Sequence, residues 1–169
     1  MSVLSSTPAL LPELERPGPR GLGRLAQRLA ERAELWRPLL HVDPERRWYA
    51  RLAAGEGWEA WLLTWLPGQR TGLHDHGDSA GAFTVLAGTL VELTPSRRPG
   101  PATLAERTLR APDVRAFGPD HVHDVLGAGD GPAASLHVYG PRLERMNHYG
   151  FAPETGLRLV ASEREGADW

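Results

Sequence analysis

From Trp48 onward the chain is written in short runs. The stretches 48–52, 58–66, 82–87, 89–94, 103–109, 121–126, 134–139 and 157–160 are rich in β-branched, aromatic or alternating residues, a composition that suits a pleated, half-buried surface. Between them stand Pro67-Gly68, Gly77-Asp78, Gly88, the proline-bearing segment 95–101, the segment 127–132 and Gly140-Pro141, which favour turns over regular pairing. No helical run interrupts residues 48–149, so architectures built on crossover helices and a parallel sheet are disfavoured. The pattern predicts an all-β barrel or sandwich.

Ahead of it, Leu22, Leu25, Ala26, Leu29, Ala33 and Trp36 recur at helical spacing, with Arg24, Arg28, Arg32, Glu31 and Glu34 mostly on other faces. This predicts one amphipathic helix, stopped by Pro38, that covers a side of the sheet. Residues 1–20 carry Pro8, Pro12, Pro17 and Pro19, which oppose helix and strand alike. They are read as a flexible tail, leaving 21–169 as a single domain large enough to bury a core without staples.

Composition then removes several chemistries. The chain has no cysteine, which excludes disulfides, thiolate nucleophiles, cysteine-type zinc sites and iron–sulfur clusters. All 19 Lys+Arg residues are arginine, so no lysine is present to form a Schiff base. A net charge of -2 with pI near 6.4 gives no basic excess for nucleic acid or an anionic membrane surface, and small molecules are the expected partners. The first twenty residues lack a basic n-region and a long apolar run, so a cytoplasmic protein is expected, with no spanning segment, and a monomer is assumed.

Three groups of residues carry chemistry. His74 and His76 flank Asp75, and on an extended strand both imidazoles project to one side while Asp75 projects to the other. His121-Val122-His123 offers a third imidazole from a distant segment, with both histidines on one parity. Three imidazoles form a facial set that leaves positions open on a six-coordinate metal. Ser135, His137 and Tyr139, spaced i, i+2, i+4, share one face of a strand. Ser135 lacks a nucleophile elbow, so these three are not read as a hydrolase triad. Tyr49 and Arg51 likewise share a face, and an arginine fork can grip a carboxylate through two parallel hydrogen bonds.

In its glycine frame, Gly68-x5-His74-x-His76-x4-Gly81-x6-Gly88, the first block resembles the first motif of the cupins. The longer blocks His74-Asp75-His76-Gly77-Asp78-Ser79, Gly88-Thr89-Leu90-Val91-Glu92, His123-Asp124-Val125 and 132–139 resemble the bacterial branch of the thiol dioxygenases typified by cysteine dioxygenase. The resemblance runs over about 48–149. It implies a cupin-type jelly-roll β-barrel with an N-terminal helical segment and one Fe(II) per chain, held by His74, His76 and His123. His123 is preferred to His121 as the third ligand. Ser135, His137 and Tyr139 match the family's Ser-His-Tyr set, and Tyr49 and Arg51 match its carboxylate clamp, with Arg47 as a weaker alternative to Arg51.

The implied reaction adds both atoms of dioxygen to a small thiol, foremost L-cysteine, giving the sulfinate. Where many cupins carry a ligating glutamate, and mammalian cysteine dioxygenase a cysteine crosslinked to the active-site tyrosine, this chain has Gly81. A fourth protein ligand is thereby absent, and three neutral imidazoles leave the metal's charge free to favour an anionic thiolate. Related mercaptopropionate dioxygenases commonly have glutamine where Arg51 stands, so Arg51 favours cysteine. The same residues also fit dioxygenation of 3-mercaptopropionate or another small thiol, or a non-catalytic cupin that binds a metal or ligand as a sensor. His148 is expected at the surface, and Trp58, Trp61 and Trp65 as core and helix-packing residues.

Overall fold

The computed structural model describes residues 18–96 and 101–164. Residues 1–17 of the expected tail lie outside this range, while Pro19 and Arg20 open the first helix, α1 (Pro19–Glu31). Proline suits that position, because its missing N–H has no partner in a helix's first turn. The single helix predicted from the periodicity is broken at Arg32, where φ is −94° and ψ is 69°. A four-residue helix, α2 (Ala33–Trp36), follows. The Trp36 indole folds back and donates to the Ala30 carbonyl at 3.0 Å, satisfying one of the acceptors a helix leaves unpaired at its C-terminus. Among the described residues, no helix is long and apolar enough to cross a membrane.

Eleven strands follow, all paired antiparallel: β1 (Trp48–Gly55), β2 (Trp58–Trp65), β3 (His74–Asp75), β4 (Ala80–Ala87), β5 (Thr89–Pro95), β6 (Leu104–Arg110), β7 (Val114–Phe117), β8 (Asp124–Ala128), β9 (Ala133–Gly140), β10 (Arg145–Ala152) and β11 (Gly156–Arg164). They form a five-stranded sheet ordered β1-β2-β9-β4-β7 and two three-stranded sheets, β11-β10-β3 and β6-β5-β8. The all-β reading holds. Besides the two-residue β3, expected only as extended backbone around the histidine pair, two strands have no counterpart among the predicted runs, β7 and β10. The first is short and carries Arg115, and the second mixes Asn147, His148 and Gly150, so neither shows the alternation that marks a strand locally.

One layer of core lies between α1 and the large sheet. Leu22, Leu25, Ala26 and Leu29 pack on Trp58, Ala60, Ala82, Leu136 and Val138, the residues of β2, β4 and β9 that share one parity. The opposite parity faces a second cluster containing Trp65, Phe83, Val85, Phe117 and Tyr139. Gly88, with φ of 73°, makes the tight β4–β5 turn, and a Cβ there would stand 2.6 Å from the Pro132 carbonyl oxygen and 2.7 Å from Ala133 Cα. Only glycine tolerates both the conformation and that approach. The Gly140-Pro141 and Ala111-Pro112 peptides are cis.

Candidate metal centre

Backbone pairing brings the distant histidines together. His74 N–H donates to the His123 carbonyl and His123 N–H to the His74 carbonyl, both at 2.9 Å, as an antiparallel bridge between the two segments. Strand β3 is only two residues long, and His76 lies just beyond it. The expected alternation nevertheless holds in its effect. Asp75 faces away from the histidines and accepts from Gly77 N–H (2.8 Å), Asn147 Nδ2 (2.8 Å) and the Tyr149 hydroxyl (2.5 Å). That carboxylate ties the histidine segment to β10. His123 precedes β8 rather than lying within a strand 121–126.

The donor nitrogens of His74, His76 and His123 lie within 4.8 Å of one another, and all three side chains are buried. For two of them the protonation state follows from the partner. His74 Nδ1 sits 2.9 Å from the Gly72 carbonyl, which can only accept, so Nδ1 carries the proton and Nε2 the lone pair. His123 Nδ1 is 2.9 Å from Glu92 Oε1 and is assigned in the same way. Nε2 of His74 and Nε2 of His76 are 3.2 Å apart. Two imidazole nitrogens each about 2.1 Å from a shared ion at a right angle stand about 3 Å apart. Burial, followed by the neighbouring histidines, pushes His74 and His76 well below the ordinary histidine range, and burial also lowers His123 against the pull of Glu92. The set is neutral, with His74 and His123 directed by their partners and His76 Nδ1 left without one, which fits a divalent metal better than a proton.

Glu92 is the residue that sequence reasoning passed over. It is buried at the centre of β5 and also accepts from His121 Nε2 (2.9 Å) and Arg115 Nε (2.5 Å). Burial alone would raise its carboxyl, yet the hydrogen bonds from His121 and His123, with Arg115, hold it well below the usual carboxylate range. A fixed anion behind His123 sets the ring's orientation and raises its basicity as a ligand. The available signal was parity, because Glu92 shares the buried face of β5 with Leu90, and a carboxylate there requires partners. His121, the competing ligand, is engaged by Glu92 and stacks on Phe117 with ring centres 4.8 Å apart. With Glu92 and His123 it forms a second group of metal-ligating type, but those contacts already have hydrogen-bond geometry.

Phe117 also explains the missing fourth ligand. A Cβ at Gly81 would meet the Phe117 ring at 2.6 Å and Tyr139 Cδ1 at 3.0 Å, and Phe117 stacks on His76 with centres 5.3 Å apart. An aromatic ring fills the place where a side chain at position 81 would go. Gly81 pairs directly with Tyr139 across β4 and β9.

Ser135, His137 and Tyr139 are connected as their spacing implies. Ser135 Oγ lies 2.9 Å from His137 Nε2, and His137 Nδ1 lies 3.3 Å from the Tyr139 hydroxyl. Trp65, a core residue in the sequence reading, also donates its indole N–H to Ser135 Oγ at 2.9 Å. With that contact made, the serine can still give its own hydrogen to His137 Nε2. A neutral ring then donates from Nδ1 to the tyrosine oxygen. Burial, followed by His123 and Arg47, keeps His137 well below the usual range. Burial, opposed by Arg47 and reinforced by Glu59, raises Tyr139. The phenol stays protonated, and in this arrangement its own hydrogen is available to the cavity.

These groups border a cavity of about 430 Å³, lined by His74, His123, His137 and Tyr139 together with Tyr49, Arg51 and Arg47. Arg51 is exposed, while Arg47 and Tyr49 are half-buried. Met146, outside the recognised motifs, also lines it. His148 pairs with His74 through the backbone but is turned toward Glu163, with Nε2 3.3 Å from its carboxylate.

Residues 24–151 match the sequence profile of a family described as cysteine dioxygenase type I. No match was found among curated proteins. Among solved structures, a protein of Thermus thermophilus is 24% identical, covering 63% of this chain and 93% of its own, with a TM-score of 0.53. A Klebsiella pneumoniae protein with a double-stranded β-helix domain is 16% identical over 74% of this chain and 93% of its own, with a TM-score of 0.54. A cupin superfamily protein from Desulfitobacterium hafniense is 14% identical over 64% and 89%, with a TM-score of 0.52. Identities this low speak to the fold alone. The fold is the cupin jelly roll with an N-terminal helical segment.

Proposed function

We propose, for a chain that belongs to the cysteine dioxygenase type I family, that it oxidises a small thiol, foremost L-cysteine, to the sulfinate at a single Fe(II) held by His74, His76 and His123. The observation that carries this reading is the cluster of three buried imidazoles, two of which, His74 and His123, stand on the wall of the same cavity as the Tyr139 phenol. Fe(II), when bound, supplies open coordination positions and the redox capacity that zinc lacks. In balance, the thiol's sulfur gains both oxygen atoms of one dioxygen and becomes a sulfinate, with no further reductant.

The protein's own part is binding and charge placement. Gly72 and Glu92 hold His74 and His123 with Nε2 free as ligand atoms. Tyr139 donates to negative charge at the sulfur or at an oxygen joined to it, and Ser135 and His137 keep its oxygen supplied with a proton donor. Because that chain is buried and preformed, little reorganisation is needed when charge develops. Gly81 and Phe117 leave no room for a ligating side chain at position 81, and the family resemblance implies a clamp for the substrate carboxylate at Tyr49 and Arg51.

The deciding experiment is oxygen consumption by anaerobically Fe(II)-loaded protein given L-cysteine, with sulfinate quantified in the same sample. Equimolar oxygen loss and sulfinate formation is the expected result. Absence of turnover with verified iron occupancy, for L-cysteine and for 3-mercaptopropionate, would leave a binding-only cupin.

A further inference from the structure

The two guanidinium groups of the cavity are placed very differently. Arg51 is exposed on β1, opposite Trp61, and has no hydrogen bond or ion pair among the described residues. Arg47 shares its parity, one residue ahead of β1, and reaches inward. Its guanidinium carbon lies 5.3 Å from the centre of the Trp65 ring, and Nη1 donates to the Arg70 carbonyl at 3.2 Å. Its Nε–H is sealed from solvent and has no acceptor.

No carboxylate pairs with Arg47 among the described residues. Its electrostatic neighbours are Tyr139, Tyr49 and Asp124, and Asp124 is already engaged by Arg70 and Thr71. Glu59, the carboxylate on the cavity wall, accepts from Leu143 N–H at 2.9 Å. The same wall holds a second buried donor without an acceptor, the indole N–H of Trp61. Buried donors are almost always satisfied, and an unpaired buried cation is costly. A cavity with two unmatched donors, an unpaired guanidinium and only neutral histidines asks for an anion. With Nη1 taken by Arg70, the edge formed by Nε and Nη2 is the one left for it, and that edge suits a carboxylate side-on.

We propose that Arg47 is the specificity-determining residue that receives the carboxylate of the thiol substrate, with Arg51 as an outer cation that assists. This rests on the thiol-oxidation reading and moves the inner contact from Arg51, where the family resemblance puts it, to Arg47.

The test compares L-cysteine with 2-aminoethanethiol, the same molecule without its carboxylate, in Fe(II)-loaded full chain. Arg47→Gln is expected to lower the ratio of their kcat/KM values about ten- to hundredfold, the range of a lost charge-assisted hydrogen bond. Arg51→Gln should lower it by less, and Arg47→Lys, which keeps the charge without the planar edge, should fall between. An unmoved ratio in Arg47→Gln, or a larger effect at Arg51, overturns the assignment. Iron stoichiometry and melting temperature check that each variant is folded, and Arg47→Lys carries the test if Arg47→Gln is not.

Anaerobic equilibrium dialysis of L-cysteine against the iron-loaded chain separates the two claims. A Kd about tenfold or more weaker in Arg47→Gln, with no oxygen uptake by any variant, would keep Arg47 as the anion site and sink the dioxygenase reading. Normal oxidation with an unchanged Kd would do the reverse.

Discussion

Strand β9 has every residue buried, yet its two faces are built on different physics. Leu136 and Val138 meet α1 through Leu22, Leu25, Ala26 and Leu29, in a contact that is apolar and non-directional. Ser135, His137 and Tyr139, one residue out of phase, meet the cavity as a hydrogen-bonded line that begins at Trp65. The helix face gains by removing area from water and tolerates side chains of similar volume. On the cavity face each polar group is satisfied by one specific neighbour, so losing one member strands the next. The helix secures one side of the strand so that the other can be given over to polar chemistry.

The largest effect that separates the faces is on metal. His123→Ala should abolish stoichiometric metal binding, whereas His121→Ala, which removes a donor to Glu92 and a ring stacked on Phe117, should weaken affinity by about ten- to hundredfold at most. Metal titration followed by elemental analysis checks both, and full stoichiometry in His123→Ala would overturn the ligand assignment. Leu136→Ala should do the opposite. It should cost about 2–5 kcal/mol of stability, seen in urea unfolding, with metal stoichiometry preserved.

Within the cavity face, Tyr139→Phe should leave iron in place and reduce kcat/KM by roughly tenfold or more, the share of one hydrogen bond to a charge. Sulfinate formed per oxygen consumed should fall with it. Unchanged rate and coupling would remove Tyr139 from the chemistry.

The smallest contrast is in pH. His74, His76, His123 and His137 are all held below the ordinary histidine value of 6.5, with burial the first cause in each. As pH falls through about 6.5 the unfolded chain takes up protons that the folded chain refuses. In metal-free protein their contribution is therefore intact above that pH and declines below it. No titrating group sits among the residues of the helix layer, so the stability lost in Leu136→Ala should be the same near pH ~7.5 and near pH ~5.5 while the parent's own stability drops. Urea midpoints of parent and variant at the two values measure this. A parent midpoint that does not move would show that these histidines are not neutral in the folded state.

Much of the centre was legible along the chain because parity is a local property. His74 and Asp75 diverge because neighbouring extended residues must, and positions 135, 137 and 139 line up for the same reason. Illegible were the groups supplied by other strands. Glu92, Phe117 and Trp65 touch His123, His76 and Ser135 only after β5, β7 and β2 have been laid beside them. Strand β10 escaped notice for a related reason, since its pairing with β3 depends on Asn147 and Tyr149 finding Asp75.

The sequence by itself determined the all-β class, the amphipathic helix that covers one sheet face and the two histidine segments, because hydrophobic period and turn chemistry act over a few residues. Only the tertiary structure decided which nitrogen of His74 and of His123 is free for a metal, that Trp65 joins the Ser135 to Tyr139 line, and that Arg47 rather than Arg51 stands inside. Those outcomes depend on hydrogen-bond partners and burial set by strands far apart in the chain, and no local pattern encodes them.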